Sequence, residues 1–280
     1  MTLIDQLLNL IGVVLWLSWR GVGNAASVTR GAGTLVSTLK PARSEPARGW
    51  AYFAALVALL ALRPLLYASL ARLLDWTPVL SPGPVAVAFR ADDPARLAAF
   101  SVLSFAWTML VFHTSVLLLS VLARGPGEPP GLARWLRELT GRPAGWPVAA
   151  ALTLPVLLLA VAWAALALPL GKLGVLPPAP PAWKLAGQAL AVGLAVWLPA
   201  RWLLAGLLLL CLVHEYVYLG EHALWGLVRI AGGKLLRPFA WLPARFGKLD
   251  FTPLLAAAAV LAFAWALELG LTRAYQVLAR

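Results

Sequence analysis

Of 280 residues, 61% are hydrophobic and only 12% are charged. This excludes an ordinary water-soluble domain, where about 25% of residues carry charge, and a disordered chain, which needs low hydrophobicity and high charge. The formal net charge is +12, from 23 Lys and Arg against 11 Asp and Glu. Nearly all these cations lie between apolar stretches, which points to anionic lipid head groups and away from nucleic acid.

Six stretches approach the roughly 20 apolar residues that cross about 30 Å of hydrocarbon. The first runs from Leu3 to Trp19; the preceding Met1-Thr2 lacks the basic region of a signal peptide, so it reads as a retained span. The next three run from Trp50 to Leu70, Leu97 to Leu122 and Trp146 to Leu170. A fifth lies between Leu185 and Tyr218, and the sixth runs from Phe251 to Leu271. The fifth is 34 residues long and contains Pro199 and Arg201. It reads as one span, as a span preceded by an interfacial helix, or as two crossings. Trp19, Trp50, Trp76, Trp146 and Trp183 stand near the expected ends, where amphipathic rings settle at head-group level. Thr77 to Ala95 and Val175 to Trp183, both proline-rich, read as ordered external turns.

The expected fold class is all-α: a polytopic membrane protein of about six helices. Residues 20–49, 123–145 and 219–249 hold fourteen Lys and Arg against six in the alternate segments. The positive-inside rule then places both termini away from the cytoplasm, in a cell inner membrane. The expected organisation is a first two-helix unit over 1–75, a central helix pair over 76–182 and a second two-helix unit over 183–280, the outer two being possible parallel repeats. Their shared pattern is a basic segment with a cation-proline step: Lys40-Pro41 through Arg43 to Pro46 in the first, and Arg237-Pro238 through Pro243 to Arg245 in the second.

The second unit carries Leu235-Leu236-Arg237-Pro238, Leu242-Pro243 and Asp250-Phe251-Thr252-Pro253-Leu254-Leu255. On these residues the chain resembles the YggT family of small bacterial membrane proteins, clearest over about 219–268 and looser over 3–70. That family shows a leucine-rich step into Arg-Pro, a second proline, and Asp-Phe-Ser-Pro opening a helix, in two units. Here Ala240 and Trp241 replace the usual basic pair, Pro243 comes one residue early, and the first unit has no Asp-Phe-Ser-Pro equivalent. The resemblance implies a non-enzymatic role in scaffolding or assembly, envelope organisation, or osmotic homeostasis, with lipid and a membrane-protein partner meeting Arg237, Pro238, Trp241, Pro243, Arg245, Lys248, Asp250 and Pro253. A plainer account of the last part exists: Asp250 or Thr252 caps the final helix and Pro253 fits its first turn.

Charges at membrane depth are functional candidates. Arg63 precedes Pro64 and Arg201 follows Pro199, placing each cation beside a helix-weakening proline, as in a transporter or channel component; the alternative is snorkelling of both to an edge. Glu268 reads as a solvated edge acid or as a partner for an arginine of another helix. His214, Tyr218 and His222 recur every four residues and share a helical face, suited to haem or metal, yet equally to an interfacial belt. Cys211, the one cysteine, excludes an intramolecular disulfide. With no phosphate loop or nucleophile elbow in the sequence, the expectation is no enzyme, no cofactor and no metal.

Overall fold

A computed structural model describes residues 2–21, 47–74, 76–124, 136, 138–140, 145–178, 180–217, 223–241, 244–246 and 249–279. The long apolar stretches form helices: α1 (Thr2–Trp19), α2 (Ala47–Leu74), α3 (Pro94–Ala123), α4 (Val148–Lys172), α5 (Ala182–Leu194), α6 (Ala200–Tyr216), α7 (Ala223–Leu236) and α8 (Thr252–Ala279). Short 3-10 turns follow α5 (Ala195–Trp197) and α7 (Arg237–Phe239). Two antiparallel hairpins complete the described elements, β1 (Val79–Leu80) with β2 (Val87–Ala88) and β3 (Arg245–Phe246) with β4 (Leu249–Asp250). The first hairpin is the ordered turn expected from the proline-rich segment after the second span.

Local chemistry sets the helix ends. Asp93 Oδ1 accepts the backbone N–H of Ala95, satisfying a free donor in the first turn of α3. Pro147 and Pro181 stand immediately before α4 and α5. Gly174, with φ of 63°, turns the chain after α4 while Val175 and Leu176 donate to the Leu170 carbonyl. Five helices are long and apolar enough to cross a membrane: Gly49–Leu73, Pro94–Ala123, Val148–Lys172, Ala182–Tyr216 and Thr252–Ala279. The apolar Leu3–Trp19 is shorter. Large apolar side chains such as Leu65, Val161, Trp202 and Phe263 point outward, as expected where hydrocarbon is the solvent. The chain is a multi-pass helical membrane protein.

Contacts divide it into two units, Met1–Leu80 with Val87–Met109, and Ser81–Ala86 with Leu110–Arg280. In the first, α1 and α2 pack together, with Gly12 so close to Phe105 of α3 that an added Cβ would lie 2.6 Å from its ring. In the second, the 35-residue stretch Ala182–Tyr216 answers the question left by its length. Gln188 donates to the Leu278 carbonyl, Ala191, Ala195 and Leu198 pack with Leu267, Leu271 and Tyr275, and Ala205 and Leu208 pack with Ala256 and Ala257. The whole stretch thus runs antiparallel along the single helix α8, as one rod that does not double back. Pro199 lacks an N–H for the Ala195 carbonyl, and the 3-10 turn repairs the loss, because the Leu198 N–H takes that carbonyl at 3.0 Å.

Candidate functional site

Three groups of polar or charged side chains stand out from the apolar helices. The first joins α1, α2 and α3. Asp5 and Asn9 lie one turn apart on α1, and Arg63 and Tyr67 one turn apart on α2, so each pair shares a helical face. Arg63 Nη2 donates to Asp5 Oδ1 at 2.6 Å, Nη1 to Asn9 Oδ1 at 2.9 Å and Nε to Tyr67 Oη at 2.9 Å. Tyr67 Oη in turn donates to Asp5 Oδ1 at 2.6 Å. Ser104 of α3 donates to Asp5 Oδ2 at 2.8 Å and accepts from Asn9 Nδ2 at 2.9 Å. Asn9 Nδ2 also lies 3.2 Å from Asp5 Oδ2.

The result is a closed network in which each guanidinium nitrogen has a partner and the carboxylate accepts from four side chains. The Arg63 side chain is 1% exposed and that of Asp5 16%. Arg63 therefore does not snorkel. A carboxylate on the neighbouring helix neutralises it in place, which removes the reason to reach an edge. Aromatic rings pack at the Tyr67 side of the network: Tyr67 meets Trp76 and Phe100 edge-on at 5.4 and 5.5 Å, and Phe89, next to strand β2, lies 5.5 Å from Phe100.

Pro64 leaves α2 helical. Its missing N–H would have bonded the Leu60 carbonyl, and Ser101 of α3 replaces it, donating Oγ to that oxygen at 3.0 Å. Ser101→Ala should therefore lower the stability of the purified protein by about 1–3 kcal/mol, the cost of an unpaired buried carbonyl. A thermal midpoint equal to the parent's would show that another group satisfies that oxygen.

The second group is Arg201 of α6 and Glu268 of α8, 2.5 Å apart with side chains 23% and 34% exposed. Of the two readings of Glu268, pairing with an arginine of another helix is the one realised. Arg201 Nε is buried and without a partner among the described residues, so this pair is less completely satisfied than the first. Arg72, exposed near the end of α2, donates to the Ala68 carbonyl.

The third group is the basic segment after α7. Leu227, Val228 and Ala231 are buried, and Gly232 approaches Cys211 of α6 so closely that a Cβ would sit 2.7 Å from its sulfur. Leu235, Leu236 and Phe239 pack against Ala205, Leu208, Ala256 and Ala257. These three apolar side chains do not lie free at the lipid interface, because the small residues of α6 and α8 leave room for them to dock. Arg229, Lys234, Arg237, Pro238 and Trp241 are exposed, Trp241 at 77%. Lys234 Nζ also bonds the Arg124 carbonyl. Pro253 is buried, so it belongs to no docking surface. Asp250 starts the last helix instead: its Oδ1 accepts the Thr252 N–H at 2.9 Å, and its own N–H donates to Tyr216 Oη. Arg245 lies in β3, while Pro243 and Lys248 lie outside the described residues.

His214 is stacked on Trp225, rings 2° from parallel and centroids 5.7 Å apart, with Nδ1 buried and unpartnered among the described residues. Its proposed companions Tyr218 and His222 lie outside those residues. Among the described residues no three His, Cys, Asp or Glu side chains gather as a metal site. Arg63, Arg201 and Glu268 stand out in the sequence as charges within apolar stretches, whereas Asp5, Asn9, Tyr67, Ser101 and Ser104 do not. The available signal was the four-residue spacing of Asp5 with Asn9 and of Arg63 with Tyr67 inside otherwise apolar helices.

The chain matches no protein-family model, and no curated protein or solved structure is similar to it.

Proposed function

We propose that this is a non-enzymatic scaffold or assembly factor of YggT type in a cell inner membrane, working through the basic, tryptophan-bearing segment after α7. The observation that carries this reading is the division of that segment. Leu235 and Leu236 at the end of α7 and Phe239 beyond it are partly buried against the helix pair α6 and α8, while Arg237, Pro238 and Trp241 are left outward. A helix fixed on one side and cationic and aromatic on the other presents a surface to anionic head groups and to a membrane-protein partner. The termini, by the same charge count, face away from the cytoplasm.

The test is crosslinking and recovery of partners from native membranes, comparing the parent with Arg237→Glu combined with Arg245→Glu. Loss of specific partners in the variant, at equal protein abundance, supports the reading; an unchanged set of recovered partners overturns it. A transport role through Arg63 and Arg201 is the weaker reading, because both guanidinium groups are already engaged by carboxylates of the protein and so are withheld from a substrate anion.

A further inference from the structure

We propose that α1 is a dependent membrane helix, held at its depth by Arg63 of α2 and unable to keep that position without it. The argument starts from register. The network lies only three residues after the start of α1, at Asp5, but eleven residues before the end of α2 and ten after the start of α3. At 1.5 Å per residue, α2 continues roughly 16 Å beyond Arg63 and α3 begins roughly 15 Å before Ser104. α1 and α2 run antiparallel, since Asp5 meets Arg63 while the Trp19 and Phe53 rings meet at a tilt, centroids 4.9 Å apart. The first turn of α1 therefore sits well inside the level where its two neighbours end, alongside residues of α2 whose outward side chains, Leu65 and Leu66, are apolar.

That position is unfavourable for α1 alone. Its first turns bring Asp5, Gln6 and Asn9 alongside those apolar residues of α2, where an ionised side chain is costly. Two of these polar side chains, Asp5 and Asn9, point into the network and are neutralised or bonded there. By contrast α8, which holds Glu268, is 28 residues long and one of the five helices long and apolar enough to cross a membrane. The Arg201–Glu268 pair joins the 35-residue stretch Ala182–Tyr216 to α8, both of membrane-crossing length. The Asp5–Arg63 pair joins a helix of that length, α2, to the shorter α1.

The experiment uses the full chain with its one cysteine removed, Cys211→Ser, and a new one introduced at the exposed Leu3, Leu3→Cys. A second protein with Ser44→Cys reports the side on which the loop after α1 lies. Sealed vesicles of both orientations are treated with a membrane-impermeant maleimide. The expected result is that Leu3→Cys is unreactive from the Ser44 side, and that adding Arg63→Leu raises its labelling from that side at least tenfold. Asp5→Leu with Arg63→Leu should return the original pattern, because no lone carboxylate then opposes insertion. Arg201→Leu should leave it unchanged. If Arg63→Leu fails to accumulate, Arg63→Lys, which keeps a cation but offers one nitrogen in place of three, should give a partial rise. The parent pattern in Arg63→Leu, or in Arg63→Lys where that is the variant measured, overturns the proposal, as does an equal rise in Arg201→Leu.

Discussion

Asp5→Leu should destabilise the purified protein by about 2–4 kcal/mol, and Asp5→Leu combined with Arg63→Leu by less than Asp5→Leu alone. The lower figure comes from four donors losing their acceptor at roughly 0.6 kcal/mol each, the average for side-chain bonds between membrane helices. The upper one comes from leaving a buried cation unpaired, which costs about 3–5 kcal/mol in proteins generally. Removing both charges deletes the bonds without stranding either ion, so a double-mutant cycle should show a coupling of about 1–3 kcal/mol. The same cycle on Arg201 and Glu268 should give under about 1 kcal/mol, because one hydrogen bond joins them and such bonds between membrane helices average roughly 0.6 kcal/mol. Thermal unfolding in a single detergent, followed by circular dichroism, is the measurement. Additive losses at Asp5 and Arg63 would mean that the network holds no energy beyond its separate parts.

Gly193→Leu should be at least as damaging, for a different reason. A Cβ at Gly193 would lie 2.6 Å from the Val156 carbonyl oxygen and 3.0 Å from the Ala160 Cβ. The obstacle is the backbone of α4, which cannot swing aside, so α4 and α5 must separate and give up the close approach on which helix association in lipid depends. The expected loss is about 3 kcal/mol or more, at the upper end of overpacking effects. Two other glycines give the scale. At Gly187 a Cβ meets only the end of the Leu278 side chain, which can rotate, and at Gly206 it meets nothing within 4 Å. Gly187→Ala should therefore cost little, and Gly206→Ala should be neutral or stabilising by about 1 kcal/mol, since alanine is the better helix former. A thermal series in which Gly206→Ala falls as far as Gly193→Leu would contradict this account of the α4–α5 contact.

Hydropathy made the long helices legible because, in hydrocarbon, each span must satisfy its own backbone, so its signal is continuous and local. The proline-rich turn before α3 and the helix start at Asp250 were readable for similar reasons: both depend on residues adjacent in sequence. Whether the stretch from Leu185 to Tyr218 runs straight or doubles back was not, because its packing along α8 decides it. The polar network was not legible. Its partners lie 54 to 99 residues apart, and which faces of two helices meet is set by packing that leaves little trace in either helix alone. Arg63 read as a residue seeking an edge because nothing near it in sequence carries a negative charge; the acid that neutralises it lies at the other end of a hairpin. The packing of Leu235, Leu236 and Phe239 was equally out of reach, because the alanines they meet lie on α6 and α8.

The interruption at Pro199 has a mechanical meaning. The rod from Ala182 to Tyr216 measures roughly 50 Å as a straight helix, far more than the hydrocarbon it crosses, and bilayers differ in thickness by several ångströms. The 3-10 turn keeps the Ala195 carbonyl bonded at the interruption, and both arms pack along the single helix α8. A stretch longer than the hydrocarbon crosses it by tilting, and because α8 lines both arms the two helices must tilt together as one stiff pair.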